Sequence, residues 1–148
     1  MRGQLFVTSF VSAVFIAGAV FAHEGATGVV KERMDMMKNL KSVMKTLAPM
    51  VKGQKEMDSQ VVKEQAKVIQ QNTGEVLLSK FPKDSIHGPS EALPEIWQEW
   101  DKFKGYNTKL SELGMALNDA GGDPDAVIAT FKAIGGTCGA CHKQFKKD

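Results

Sequence analysis

Apolar residues recur along most of this chain at steps of three and four, the period of an amphipathic helix, and no alternating strand pattern stands out. The first stripe is Val30, Met34, Met37, Leu40, Met44, Leu47 and Val51, with Lys31, Glu32, Lys38, Lys41 and Lys45 falling off it. Pro49 is tolerable near the end of such a helix, and Gly53 terminates it. A weaker stripe follows Asp58, a residue type suited to capping a helix N-terminus. It comprises Val61 or Val62, Ala66, Ile69, Thr73 and Val76 or Leu77, with Gly74 as an interruption and Phe81-Pro82 as the stop. Residues 82–93 read as one long loop rich in Pro, Gly and Ser. Pro94 suits the first position of a third helix carrying Ile96, Trp100, Phe103, Tyr106, Leu110, Leu113 and Leu117, which Gly121-Gly122 ends. Asp123-Pro124 then pairs a cap with a proline at the first helical position. The last stripe is Val127, Phe131, Ile134, Cys138, Cys141/His142 and Phe145. Four amphipathic helices with mostly short connections predict an all-α, antiparallel four-helix bundle, because each helix alone is marginal and needs the shared core.

Residues 1–22 stand apart from this pattern. Arg2 supplies a short positive start, an apolar stretch runs from Leu5 to Phe21, and Val20-Phe21-Ala22 offers small residues at the positions before a cleavage point. Polar His23-Glu24-Gly25 follows at once. This reads as a secretory signal peptide and directs the mature chain, residues 23–148, to the periplasm with no stable membrane insertion after cleavage. The competing reading is an uncleaved anchor, since the stretch borders on spanning length. His23 would become the new N-terminus, where a histidine can bind copper; coincidence with the cleavage site explains it as well.

The 19 basic and 17 acidic residues leave a formal charge of only +2, with no basic run and no nucleic-acid module. A polyanion partner is therefore not expected.

The chemistry concentrates in Cys138-Gly139-Ala140-Cys141-His142, a C-x-x-C-H pattern. Cysteines three apart lie on one helix face about one turn apart, placed to form two thioethers with one edge of a porphyrin. His142, next in the chain, is then positioned to give a ring nitrogen to iron. Gly139 and Ala140 leave room for a macrocycle close to the backbone, as do Gly135 and Gly136 at some cost in helix propensity. A disulfide or thioredoxin-like redox pair is an alternative, but it expects a βαβ context. Zinc needs four ligands, and the chain has two cysteines and no matching histidine pair. The export signal favours a single covalently bound haem c. Phe131 and Phe145 lie on the haem-bearing stripe as wall candidates, at least one of Trp97 and Trp100 is expected in the core, and His87 is expected to be exposed in its loop.

A four-helix chain with this motif on its last helix, followed by Phe145 and a basic Lys146, resembles the cytochrome c′ family. Pro49-Met50-Val51-Lys52-Gly53 is similar to the family's end of the first helix, and Pro94-Glu95-Ile96-Trp97 to its start of the third. The resemblance spans essentially the whole mature chain. Lys146 stands where members commonly have arginine; it keeps the charge and loses the planar fork. The resemblance implies that Arg33 lies near a haem propionate and Met37 at the distal face of the iron. By residue type alone, Arg33 is a solvated surface charge and Met37 a core gap filler. In the low-spin cytochrome c-556 subgroup a methionine at this position is the sixth iron ligand, which implies electron transfer with periplasmic redox proteins. In high-spin members the iron is five-coordinate, which implies nitric oxide or carbon monoxide binding instead. A peroxidase would need a polar distal acid or base, and the stripe offers Lys38 and Lys41 but no histidine there. No enzymatic activity is expected. The resemblance also implies a homodimer packed through the first two helices.

Overall fold

The computed structural model describes residues 25–148, so the expected signal peptide and His23 lie outside the described residues. Four long helices, α1 (Gly28–Val51), α2 (Ser59–Gln71), α5 (Trp100–Ala120) and α6 (Pro124–Phe145), form the bundle, and two short ones, α3 (Glu75–Leu78) and α4 (Glu95–Gln98), flank the connection between α2 and α5. Each long helix packs on the next, and α6 closes back onto α1. No strand occurs among the described residues, only an isolated antiparallel bridge between Ala92 and Lys146.

The caps form as the sequence predicts. Asp58 accepts from the backbone N–H groups of Gln60 (2.8 Å) and Val61 (3.2 Å). Asp123 accepts from Ala126 N–H (3.0 Å), with Pro124 at the start of α6. Each satisfies donors that a helix start otherwise leaves orphaned.

Two predicted helices are broken, for tertiary reasons. The second ends at Gln71 because Gly74 takes a φ of +70°, open to glycine at little cost. Asn107 of α5 holds that turn: its side chain accepts from Gly74 N–H and donates to Gly74 C=O, both at 3.0 Å. The third is split at Glu99, whose backbone leaves the helical region (φ −115°, ψ 43°). The short turn before the split is tied back to the loop by the Trp97 indole N–H, which donates to Phe81 C=O at 2.9 Å.

The core divides in two. One cluster joins all four long helices through residues such as Leu47, Val62, Ile69, Leu117 and Val127. The second gathers Met36, Leu77, Phe81, Ile96, Phe103 and Phe145 at the end that carries the long loop. Both tryptophans are only half-buried against this second cluster, so neither is the core residue expected of the pair. Val76 is half exposed, and Leu77 is the buried member of its pair.

Close approach of α2 and α5 depends on Gly114. A Cβ there would lie 2.7 Å from Ile69 Cγ2. Overpacking there costs about 1–3 kcal/mol and helix propensity returns about 1 kcal/mol, so Gly114→Ala is expected to lower stability by up to about 2 kcal/mol. Urea denaturation checks this; an unchanged or raised midpoint would show that the pair relaxes freely.

Candidate haem-binding site

A cavity of about 520 Å³ lies between α1, α5, α6 and the loop, within the ~300–1,000 Å³ usual for cofactor pockets. Its position follows from the phase of α1. The buried face of that helix is Val30, Arg33, Met36, Leu40, Val43 and Leu47, one residue away from the predicted stripe at three of its positions. Met34, Met37 and Met44, which the stripe assigned to the core, are half-buried and line the cavity instead.

The opposite wall is α6. Cys138, Cys141, His142 and Phe145 all line the cavity. Phe131, expected beside them, packs against the first core cluster and does not reach the cavity wall. Both cysteines are free and half-buried. Burial raises the Cys138 thiol above its ordinary range, against the pull of its own backbone N–H. Burial, then the neighbouring Cys138, pushes Cys141 up to about 11. A redox dithiol or a zinc site works through thiolates at lowered pKa, so these uncharged thiols fit thioether formation better. Nor does any cluster of three or more His, Cys, Asp or Glu suited to a metal ion occur among the described residues.

His142 is exposed along the cavity wall yet enclosed by surrounding protein. That enclosure, then Lys146, lowers its pKa, while Glu91 opposes them. The result favours neutral imidazole, the form that ligates iron. Lys146 lines the rim and pairs with Glu91 at 3.1 Å. Its backbone bridges to Ala92, so the loop is clasped to the end of α6 by Leu93 N–H to Phe145 C=O (3.0 Å) and Lys147 N–H to Glu91 C=O (2.8 Å).

Arg33 departs most from its surface reading. It is 4% exposed. Its guanidinium donates to Lys80 C=O (3.3 Å), Ser85 Oγ (3.0 Å), Ser85 C=O (2.7 Å) and Ser90 Oγ (2.7 Å), and lies over the Phe81 ring at 5.0 Å. Burial lowers its pKa. No carboxylate pairs with it among the described residues, so a buried cation beside the cavity keeps its charge uncompensated by the protein. That suits an anionic substituent on a bound group. Ser85, Ser90, Tyr106 and Asn107 carry no sequence signal for this site; only the folded loop and α5 bring them to it.

The residues thus fit a flat, mostly apolar group with two points of covalent attachment and an acidic edge. Comparison with known proteins agrees. Cytochrome c-556 of Agrobacterium fabrum (strain C58 / ATCC 33970) is 31% identical over 147 residues, 99% of this chain and 97% of that protein. Cytochrome c′ of Rhodopseudomonas palustris is 28% identical over 92% of each chain. A solved structure of cytochrome c′ from Rhodopseudomonas palustris superposes with a TM-score of 0.75 at 29% identity, covering 83% of this chain and 98% of that one. A nitric oxide complex of a mutant cytochrome c′ from Alcaligenes xylosoxidans gives 0.73 at 28% identity, covering 81% and 94%. The family model described as Cytochrome C′ matches residues 28–146, so this chain belongs to the cytochrome c′ family and is a c-type cytochrome with a covalently attached haem c.

Proposed function

We propose that this protein is a periplasmic electron carrier in which Cys138 and Cys141 would hold the haem, and His142 and Met37 would both ligate its iron and keep it low-spin. The observation that carries the reading is the placement of Met37: it lies on the α1 wall of the same cavity whose α6 wall presents His142. Relatives named cytochrome c-556 add support. A haem bound there would supply one-electron chemistry, and ligation by Met37 and His142 would raise its potential. The chain's own residues do the rest. Leu40, Leu77, Phe103 and Leu110 exclude water from the site. Arg33 offers positive charge to a propionate, and Lys146 adds a cation at the rim. The clasp between the loop and the end of α6 holds these groups in place before and after each transfer. Residues 1–22 act as the export signal, and the mature protein pairs as a homodimer through α1 and α2. Among the described residues no helix is long and apolar enough to cross a membrane.

The second reading is a five-coordinate haem that binds nitric oxide or carbon monoxide. It is favoured by two structures of variants of one relative, the cytochrome c′ of Alcaligenes xylosoxidans, one a nitric oxide complex and one carbon monoxide bound. Absorption spectra decide between the two. The wild-type protein is expected to be low-spin in both oxidation states, with a sulfur-to-iron charge-transfer band when oxidised and slow carbon monoxide uptake when reduced. Met37→Ala is expected to lose the band, become high-spin and bind carbon monoxide rapidly. A high-spin wild-type spectrum that Met37→Ala leaves unchanged would overturn the His/Met reading in favour of the gas binder.

A further inference from the structure

The net charge hides a strong bias in where charge sits. Residues 36–55, the last two-thirds of α1 and the turn after it, carry Lys38, Lys41, Lys45, Lys52 and Lys55 and no carboxylate. Residues 126–147, most of α6, carry Lys132, Lys143, Lys146 and Lys147 and again no carboxylate. These nine lysines are nearly half of the 19 basic residues, and none of the 17 acidic ones lies among them. Everything outside the two segments is therefore net acidic.

The two segments are also the two walls of the cavity that bear the candidate iron ligands, and α1 packs directly on α6. Lys38, Lys41 and Lys146 stand on the cavity lining itself. Lys38 is offset by Asp35 and Lys146 by Glu91. Lys41 and Lys45, exposed and about one turn apart, form no ion pair among the described residues. Positive charge that no carboxylate among the described residues offsets thus stands at Lys41 on the cavity lining and, one turn further along α1, at Lys45.

We propose that this lysine edge of α1, centred on Lys41 and Lys45, is a docking surface for an electron-exchanging protein that presents clustered aspartates and glutamates around its own redox centre. The proposal rests on the electron-carrier reading. Charge complementarity selects the partner: an acidic patch is attracted to this edge and repelled by the rest of the surface, which orients the encounter as well as speeding it. The same edge would attract an anionic membrane, but cavity-lining lysines serve a partner that needs a short electron path rather than one that needs only adhesion.

The test uses the haem-loaded protein in stopped flow. The reduced protein is oxidised by ferricyanide, an anion, or by tris(phenanthroline)cobalt(III), a cation, over a range of salt. Despite a net charge near zero, the ferricyanide rate is expected to fall with salt and the cobalt rate to rise. Lys41→Glu with Lys45→Glu is expected to lower the ferricyanide rate about tenfold at low salt with an unaltered absorption spectrum. Lys102→Glu with Lys109→Glu, the same charge change on the exposed face of α5, is expected to leave it unaltered. Polyglutamate, an acidic polypeptide, should protect the wild-type protein from ferricyanide and fail to protect the α1 variant. Equal effects of the α1 and α5 reversals, with fast oxidation throughout, overturn the docking surface and leave the carrier reading standing. Slow oxidation by both reagents at every salt overturns the carrier reading, and the docking surface with it. Binding to phosphatidylglycerol vesicles that depends on Lys41 and Lys45, without polyglutamate protection, overturns the protein partner in favour of a membrane.

Discussion

Replacing Cys138 and Cys141 together by alanine is expected to remove all haem that survives denaturation, read as complete loss of haem stain on a denaturing gel. Either single replacement leaves one attachment point and is expected to keep a weaker band. The two thiols sit one turn apart on the cavity face of α6, are half-buried, and stand uncharged in apolar surroundings. Alanine is the best helix former, so the helix itself loses nothing by the exchange. A second effect follows from the cavity. Without the bound group, the apolar lining of this cavity of about 520 Å³ loses its covering, and the helices that wall it lose a shared partner. Loss of attachment is therefore expected to lower the thermal midpoint along with the haem stain. A band of wild-type intensity in the double variant would sink the assignment of these cysteines.

What the sequence shows of this protein is what acts over a few residues. The caps at Asp58 and Asp123 are legible because a carboxylate reaches N–H groups two or three positions on. The C-x-x-C-H pattern is visible for the same reason: its parts lie within little more than one turn of α6. The stop at Gly74 is visible as a glycine, but the clamp that makes it a stop is Asn107, 33 residues later. The break at Glu99 is set by Trp97 reaching back to Phe81. The phase of α1 fails differently. Met34, Met37 and Met44 are apolar and periodic, so they read as core, yet a helix that faces a cofactor cavity presents apolar residues to that cavity as well. Hydrophobic period tells which residues avoid water; it does not tell whether protein or a bound group covers them. Arg33 marks the limit most sharply. A lone arginine among lysines reads as surface, and only the folded loop, 47 to 57 residues away, supplies the partners that bury it.

Arg33→Met is accordingly expected to destabilise the protein by about 2–4 kcal/mol, more than removing an exposed charge would cost. Methionine keeps much of the length and apolar stem, and it removes the expense of burying a cation. What remains is worse. Lys80 C=O and Ser85 C=O lose their donor, and the hydroxyls of Ser85 and Ser90 lose a charged partner. Each buried acceptor left unpaired costs about 1–3 kcal/mol. Because all four bonds tie α1 to the loop between α3 and α4, the damage should concentrate there. Limited proteolysis is expected to cut first around Lys83, exposed beside the buried Ser85, while urea denaturation reports the loss of stability. Arg33→Lys separates charge from geometry. It preserves the cation and one or two bonds, but an ammonium cannot reproduce a planar fork that serves four acceptors at once. Its expected stability lies between wild type and Arg33→Met. If Arg33 also stands beside a propionate, the lysine variant will keep the reduction potential near that of wild type and the methionine variant will shift it down, because loss of positive charge favours the oxidised, more positive iron. Equal stability of all three proteins would mean that the loop holds its own shape and that Arg33 only fills space.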